Sequence, residues 1–323
     1  MTTPAVKALR NQFPDAFLSY VVENPYKQLV EGNPAIDHIW AIPPNQEARD
    51  FIHTIHEVQK EKYDAVIDFH GGPRASLITF LSMAKLKIGY NIKYKNFIYN
   101  YKIPREPEKG HYHSVENHFN LVKLLGIPDS SPPPLQLPQP KKKEIQTVDR
   151  FLNENHVTHS PKIVLHIGAG NQFRSWGEKN LCTLIQLFSK LPQVHVILVG
   201  SQEDRSLEEK IFQKSSSKFH TAVGQLNLRE LQELISRASL FVGPDSGPMH
   251  IAAATSTPIV AYFGPTLPAN FSPWRKNTAI LEKDLDCRPC RQKQCIHQDY
   301  RCLRRIKPEQ VYKACLSFLQ GKR

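Results

Sequence analysis

Asp245, Ser246, Gly247 and His250 stand together in GPDSGPMH (243–250), directly after the apolar run SLFV. An aspartate at a strand end can accept hydrogen bonds from sugar hydroxyls. Ser246 and Gly247 suit a tight turn, and Pro248 suits the first position of a helix. The free amides of that first turn can then hold a phosphate. The plain alternative is a strand-to-helix turn capped by Asp or Ser, with His250 as an ordinary core histidine.

Three further groups share this placement. Arg174 lies in AGNQFRSW, after KIVLHIG and before Trp176, where its fork can grip a diphosphate; otherwise it is a surface arginine. Glu203, with Asp204 close behind, follows HVILVG at a place suited to ribose hydroxyls, or else serves the dipole of a helix first turn. In the first half, Asp68, His70 and Arg74 surround Gly71 and Gly72 in DFHGGPRAS. They set an acid, an imidazole and a guanidinium where an anionic acceptor could bind. For Asp68 a buried structural carboxylate is the competing reading.

A fourth cluster has different chemistry. Cys287, Cys290, Cys295 and Cys302 crowd into CRPCRQKQCIHQDYRC. A CxxC with two more cysteines nearby can build a tetrahedral thiolate site, for which zinc is the natural occupant. His297 could replace one ligand. Free thiols are the alternative, and disulfides are disfavoured in a reducing compartment.

The elements that position these groups follow from apolar periodicity. Short apolar runs at 17–23, 38–42, 65–70 and 86–90 read as strands between helical stretches at 47–61, 74–84 and 113–126. The second half repeats the rhythm with strands at 162–168, 195–200, 239–245 and 258–264. Continuous apolar strands separated by helices predict parallel sheets covered on both faces. Two such units give an α/β protein with two Rossmann-like, doubly wound domains and a central cleft, with ligands beyond the carboxyl ends of the strands. The Pro-rich GIPDSSPPPLQLPQPKKK (126–143) marks the break. The expected organisation is 1–140, a linker over 141–160, a second domain over 161–305 with the cysteine cluster, and a last helix over 306–323 packing across the interface. The opening TTPAVKALRNQF predicts an amphipathic helix, with Pro4 in its first turn and Val6, Leu9 and Phe13 on one face.

A net charge of +12 calls for an anionic partner such as a phosphorylated substrate or lipid surface. The basic residues carry no nucleic-acid-binding signature, so nucleic acid is not expected. The sequence has neither a membrane-spanning run nor a secretory signal, which makes the cytoplasm the expected compartment.

GPDSGPMHIAAATSTPIVAYFGPT resembles the donor-binding segment of glycosyltransferase family 9, the bacterial ADP-heptose:lipopolysaccharide heptosyltransferases. LHIGAGNQFRSW, YDAVIDFHGGPRAS with KIGY, HSVENHFNLVKLLGI and the opening TTPAVKALRNQFPDA resemble the same family in the same order, over essentially the whole chain. The resemblance implies the GT-B architecture, with the acceptor on the N-terminal domain and the nucleotide-sugar on the C-terminal one. It implies inverting transfer of heptose from ADP-heptose to the lipopolysaccharide inner core, with no catalytic cofactor. Arg174, Glu203, Asp245, Ser246, Gly247 and His250 would hold the donor, and His70 and Arg74 would meet the acceptor. The expected state is a monomer at the cytoplasmic face of the inner membrane. The cysteine cluster recurs in family members near the C-terminus, and a structural zinc clip there would be separate from catalysis.

By the same resemblance, the general base is an aspartate in a Gly-Asp turn just before the TTPAVKAL helix. The sequence opens at Met1 directly on that helix, which places the expected aspartate ahead of Met1. A start assigned too late is the favoured explanation; truncation and a variant without the base are the others. Asp68 and His70 are the substitutes within the chain. The alternatives to a heptosyltransferase are an impaired nucleotide-sugar-binding homologue and a related transferase with another donor.

Overall fold

The computed structural model describes residues 1–44, 48–105, 111–275 and 277–320. The chain divides into two units, Met1–Pro138 and Gln139–Arg323, with the break inside the proline run. In the first unit α1 (Thr3–Gln12) leads to β1 (Ser19–Glu23), β2 (His38–Ile42), α2 (Ala48–Lys60), β3 (Ala65–Ile67), α3 (Pro73–Leu81), β4 (Leu86–Tyr90), β5 (Tyr101–Ile103) and α4 (Ser114–Lys123). Pro4 sits in the first turn of α1 as its fixed φ favours, and Ala5, Val6 and Leu9 are buried. Thr2 does not cap that helix, because its hydroxyl bonds the Tyr20 hydroxyl at 2.6 Å. Ala5 and Leu9 pack on Phe119 and Val122 of α4, with Ile67 and Phe69 against them, so the opening helix does lie beside the 65–70 segment. Phe13, expected on the buried face, is at the helix end and exposed.

The strands of this unit form two parallel ladders, β1–β2 and β3–β4–β5. No ladder joins β1 to β3 among the described residues. The side chains bridge where the backbones do not, with Trp40 Nε1 donating to the Tyr63 hydroxyl at 3.0 Å and that hydroxyl to Ser19 Oγ at 2.6 Å.

In the second unit, α5 (Lys142–Glu154), β6 (Lys162–His166), α6 (Glu178–Phe188), β7 (His195–Val199), α7 (Arg205–Lys214), β8 (His220–Thr221), α8 (Leu228–Ser236) and β9 (Leu240–Pro244) come first. They are followed by α9 (Gly247–Ala253), β10 (Ile259–Tyr262), α10 (Pro268–Phe271), β11 (Thr278–Leu281), α11 (Arg301–Arg304) and α12 (Pro308–Gln320). One six-stranded parallel sheet runs β11–β10–β9–β6–β7–β8. Every residue of β6, β9 and β10 is buried, which is why these strands read as unbroken apolar runs. α6, α7 and α12 pack together, as do α5, α8 and α9.

One expectation needs correction. Residues 141–160 are not a linker: α5 occupies most of them and packs on α8, with Val148 and Leu152 buried. Ile145, Val148 and Leu152 at helical spacing give the helix its apolar face, masked in the sequence by the lysines before it. α12 packs on α6 and on β9–β11 of its own unit, where Val311 and Cys315 complete the core. Among the described residues no helix is long and apolar enough to cross a membrane.

Candidate functional site

The sheet of the second unit delivers several predicted residues to the carboxyl ends of neighbouring strands. Asp245 follows β9 and is buried, with its Oδ2 engaged by two groups. Thr266, just past β10, donates its hydroxyl to Oδ2 at 2.6 Å, and Arg174 Nη1 lies 3.3 Å from the same oxygen. Oδ1 faces His250 Nε2 at 3.9 Å, beyond hydrogen-bond length. Burial pushes the Asp245 carboxyl above the usual range, while the Thr266 bond and the Arg174 charge pull the other way.

Arg174 is held from its far side as well. Its Nε donates to Gln292 Oε1 at 2.9 Å, and Asn171 Nδ2 donates to the same oxygen at 3.1 Å. Gln292 belongs to the cysteine-bearing loop, which is fastened to the strand ends at other points. Cys290 N donates to the Pro265 carbonyl at 3.0 Å, and Arg288 Nη2 donates to the Thr266 carbonyl at 2.8 Å. Arg288 also pairs with Glu282 at 2.8 Å. The loop therefore braces both Arg174 and Thr266, the two groups that address Asp245.

Ser246 is at the N-cap of α9, but its side chain makes no capping bond. The hydroxyl instead donates to the Pro244 carbonyl at 3.1 Å and lies 3.1 Å from His166 Nδ1 at the end of β6. Burial holds His166 down to about 4, so the ring is neutral at pH 7. The Ser246 hydroxyl is thus taken up by Pro244 and His166.

Glu203 is exposed in a short 3-10 turn (Gln202–Asp204). Asp204 is the more constrained acid: its Oδ2 accepts from Ser201 N at 2.7 Å and from Ser201 Oγ at 2.9 Å. Its carboxylate lies so close to Gly168 that a Cβ there would collide with it. The close approach of β6's loop to β7's loop explains the glycine at 168.

In the first unit, Asp68 takes the structural reading. Its Oδ1 accepts from the backbone of His70 (2.9 Å) and Gly71 (2.7 Å), and its Oδ2 from Tyr99 (2.7 Å) and Ser76 (3.3 Å). Four donors on a buried carboxylate hold a turn and leave it poorly placed as a base. His70 is exposed, with its ring over Gly72. The Arg74 guanidinium donates to the carbonyls of Pro43 and Pro44, both at 3.0 Å, and lies 5.2 Å from the Phe51 ring centre. It braces the loop after β2.

The four clustered cysteines are free thiols. Among the described residues no three or more Cys, His, Asp or Glu side chains converge as metal ligands. A zinc clip is the expectation for Cys287, Cys290, Cys295 and Cys302, with His297 as a substitute, and these residues share one loop. Their shared loop is anchored by Arg288 and Gln292.

His166, Thr266, Arg288 and Gln292 were not singled out from the sequence. Thr266 carried a usable signal, since FGPT follows an apolar strand as the other site segments do. His166 hid inside its strand, and the path of the loop bearing Arg288 and Gln292 is not written in local periodicity.

A parallel α/β sheet with an acid, a cation and a histidine gathered at its carboxyl edge is the layout of a GT-B nucleotide-sugar domain. The chain belongs to glycosyltransferase family 9 (heptosyltransferase), whose model matches residues 52–301. It is 25% identical over 294 residues to lipopolysaccharide heptosyltransferase 3 of Escherichia coli, covering 86% of this chain and 83% of that one. To lipooligosaccharide heptosyltransferase 2 of Campylobacter jejuni it is 28% identical over 171 residues, 51% of this chain and 54% of the other. Its fold matches a family 9 glycosyltransferase from Veillonella parvula (TM-score 0.87, 22% identity, 99% and 93% coverage). It also matches E. coli ADP-heptose lps heptosyltransferase II (TM-score 0.79, 19% identity, 100% and 95% coverage).

Proposed function

We propose that this glycosyltransferase moves heptose from ADP-heptose to the inner core of lipopolysaccharide, with inversion and without a catalytic metal. The observation that carries the reading is the Asp245 cluster. Asp245 Oδ2 is occupied by Thr266 and Arg174, so Oδ1 is the oxygen assigned to a sugar hydroxyl. When the glycosidic bond breaks, negative charge develops on the departing diphosphate. The Arg174 guanidinium, already oriented by Gln292, offsets that charge where other transferases use a divalent ion. The backbone amide of Gly247 at the start of α9 adds a neutral donor to the same region.

The acceptor is assigned to the first unit, with His70 exposed beside the Asp68 turn. Asp68 is not assigned the role of base, because its oxygens hold four donors. Glu203 is the proposed ribose contact, from an exposed position after β7. A titration of ADP, GDP and UDP against the purified protein tests the donor assignment. ADP should bind most tightly, and Asp245→Ala should reduce binding of the intact sugar nucleotide more than binding of ADP. Preference for GDP or UDP would overturn the reading in favour of another donor.

A further inference from the structure

The first unit carries an exposed apolar face that its core does not use. Leu77 and Phe80 lie one turn apart on α3 and are both exposed, Met83 just beyond the helix is 75% exposed, and the 92–98 loop adds Tyr94 (82%) and Phe97 (75%). The helix and the loop meet in this region: the Phe80 and Phe97 rings pack edge-on with centroids 5.8 Å apart. Large apolar side chains gathered at this exposure mark a surface that meets something other than water.

Its charge is as unusual as its apolarity. Residues 69–105 contain seven Lys and Arg and no Asp or Glu. Lysines are interleaved with the rings: Lys87 Nζ lies 5.7 Å from the Phe80 ring centre and Lys93 Nζ 5.2 Å from that of Tyr94. Lys85 and Lys102 are exposed nearby on the chain. A protein partner fits this poorly, since lysine is depleted in protein interfaces. A nucleic acid fits poorly too, because Leu77 and Met83 offer no flat face for a base to stack on. A bilayer interface suits both features. Rings and aliphatic groups enter the headgroup boundary, and lysine stems lie along them while the ammonium groups reach the phosphates.

We infer that the face formed by Leu77, Phe80, Met83, Tyr94 and Phe97 with its surrounding lysines docks the protein on an anionic phospholipid bilayer. Apolar insertion and basic attraction are both needed, because one weak signal gives only marginal membrane binding. The inference does not rest on the transferase reading, and its test uses neither donor nor acceptor.

The full chain is sedimented with phosphatidylcholine vesicles and with mixed phosphatidylcholine–phosphatidylglycerol vesicles. It should bind the mixed vesicles, bind neutral ones weakly, and release as salt is raised. Met83→Ser with Phe97→Ser should weaken binding to mixed vesicles by about tenfold or more. Lys85→Gln and Lys93→Gln should each weaken it by about fivefold and flatten the salt dependence. Because all four side chains are exposed, circular dichroism and thermal melting should match the parent protein, which separates lost docking from lost folding. Failure of the parent chain to bind mixed vesicles at low salt would overturn the inference, as would equal binding by the serine variant. A concentration-dependent dimer abolished by Met83→Ser and Phe97→Ser would also overturn it, making a second copy the occupant.

Discussion

Arg174 Nη1 and Asp245 Oδ2 lie 3.3 Å apart across residues separated by most of a Rossmann unit, and each has a second partner that fixes it in place. Gln292 takes Arg174 Nε, and Thr266 supplies a hydroxyl to Asp245. The pair is a charge-balanced arrangement in which Asp245 Oδ2 is held, leaving Oδ1 as the oxygen assigned to the sugar in the proposed donor complex.

Removing Asp245 should therefore affect transfer far more than folding. Asp245→Ala is expected to lower kcat/KM by about a hundredfold or more, the scale of one well-aimed polar group in a closed site. Asp245→Asn keeps the shape and should still lose most activity, while gaining stability at neutral pH, because burial disfavours the charged carboxyl. The sign follows from the raised value. The folded protein holds the proton more tightly than the unfolded chain, so this group's contribution falls as pH rises through the carboxyl range. Steady-state kinetics paired with denaturant melts at several pH values check both halves.

Arg174→Lys should not rescue Arg174→Ala. A lysine supplies the charge but cannot meet Gln292, Asp245 and a phosphate from one planar fork. Both variants are expected to weaken ADP binding by about tenfold to a hundredfold, the worth of a charge-assisted hydrogen bond. Calorimetric titration of ADP reads this directly.

Gln292→Ala tests whether the cysteine loop matters to the site. Loss of one neutral acceptor for Arg174 should cost about threefold to tenfold in kcat/KM. Gln292→Glu, which keeps an acceptor at Oε1, should recover part of it. Unchanged kinetics in the alanine variant would show that Arg174 is positioned without the loop.

His166 makes the second unit sensitive to acid. Its folded-state value of about 4 lies below the ordinary 6.5, so unfolding takes up a proton at any pH between them. Stability should accordingly fall as pH drops from 6.5 toward 4, by up to about 3 kcal/mol from this residue. Urea midpoints across that interval, compared with His166→Asn, should show a shallower acid slope in the variant.

The cysteines should differ in reactivity. Hydrogen bonds from the backbone, Tyr300 first, lower the Cys295 thiol, whereas burial raises Cys302 and, more strongly, Cys315. Iodoacetamide labelling followed by mass spectrometry should modify Cys295 first and Cys315 last in the folded protein.

The sheet of the second unit was legible because burial on both faces leaves apolar runs such as Ile163–Leu165 and Leu240–Val242 with little else to mean. Asp245 and Arg174 were legible because each follows such a run. The short strands β5 and β8 and the edge strand β11 were not read, since two to four residues cannot establish a period. α5 was mistaken for linker because proline and lysine precede its apolar face. Gln292 could not be found at all from the sequence: its role depends on where the loop folds, and a lone glutamine among basic residues reads as surface. The anchoring of the cysteine loop by hydrogen bonds to Thr266 and Arg174 is likewise not written in the CxxC spacing.

The most direct test of the central claim is transfer itself. The purified protein, its Asp245→Ala variant and a heptose-deficient lipopolysaccharide acceptor are incubated with ADP-heptose, and released ADP and product mass are measured together. The account predicts ADP release matched by an acceptor heavier by one heptose, both lost in the variant. Transfer that proceeds undiminished without Asp245, or transfer of sugar from UDP or GDP donors in place of ADP-heptose, would contradict it.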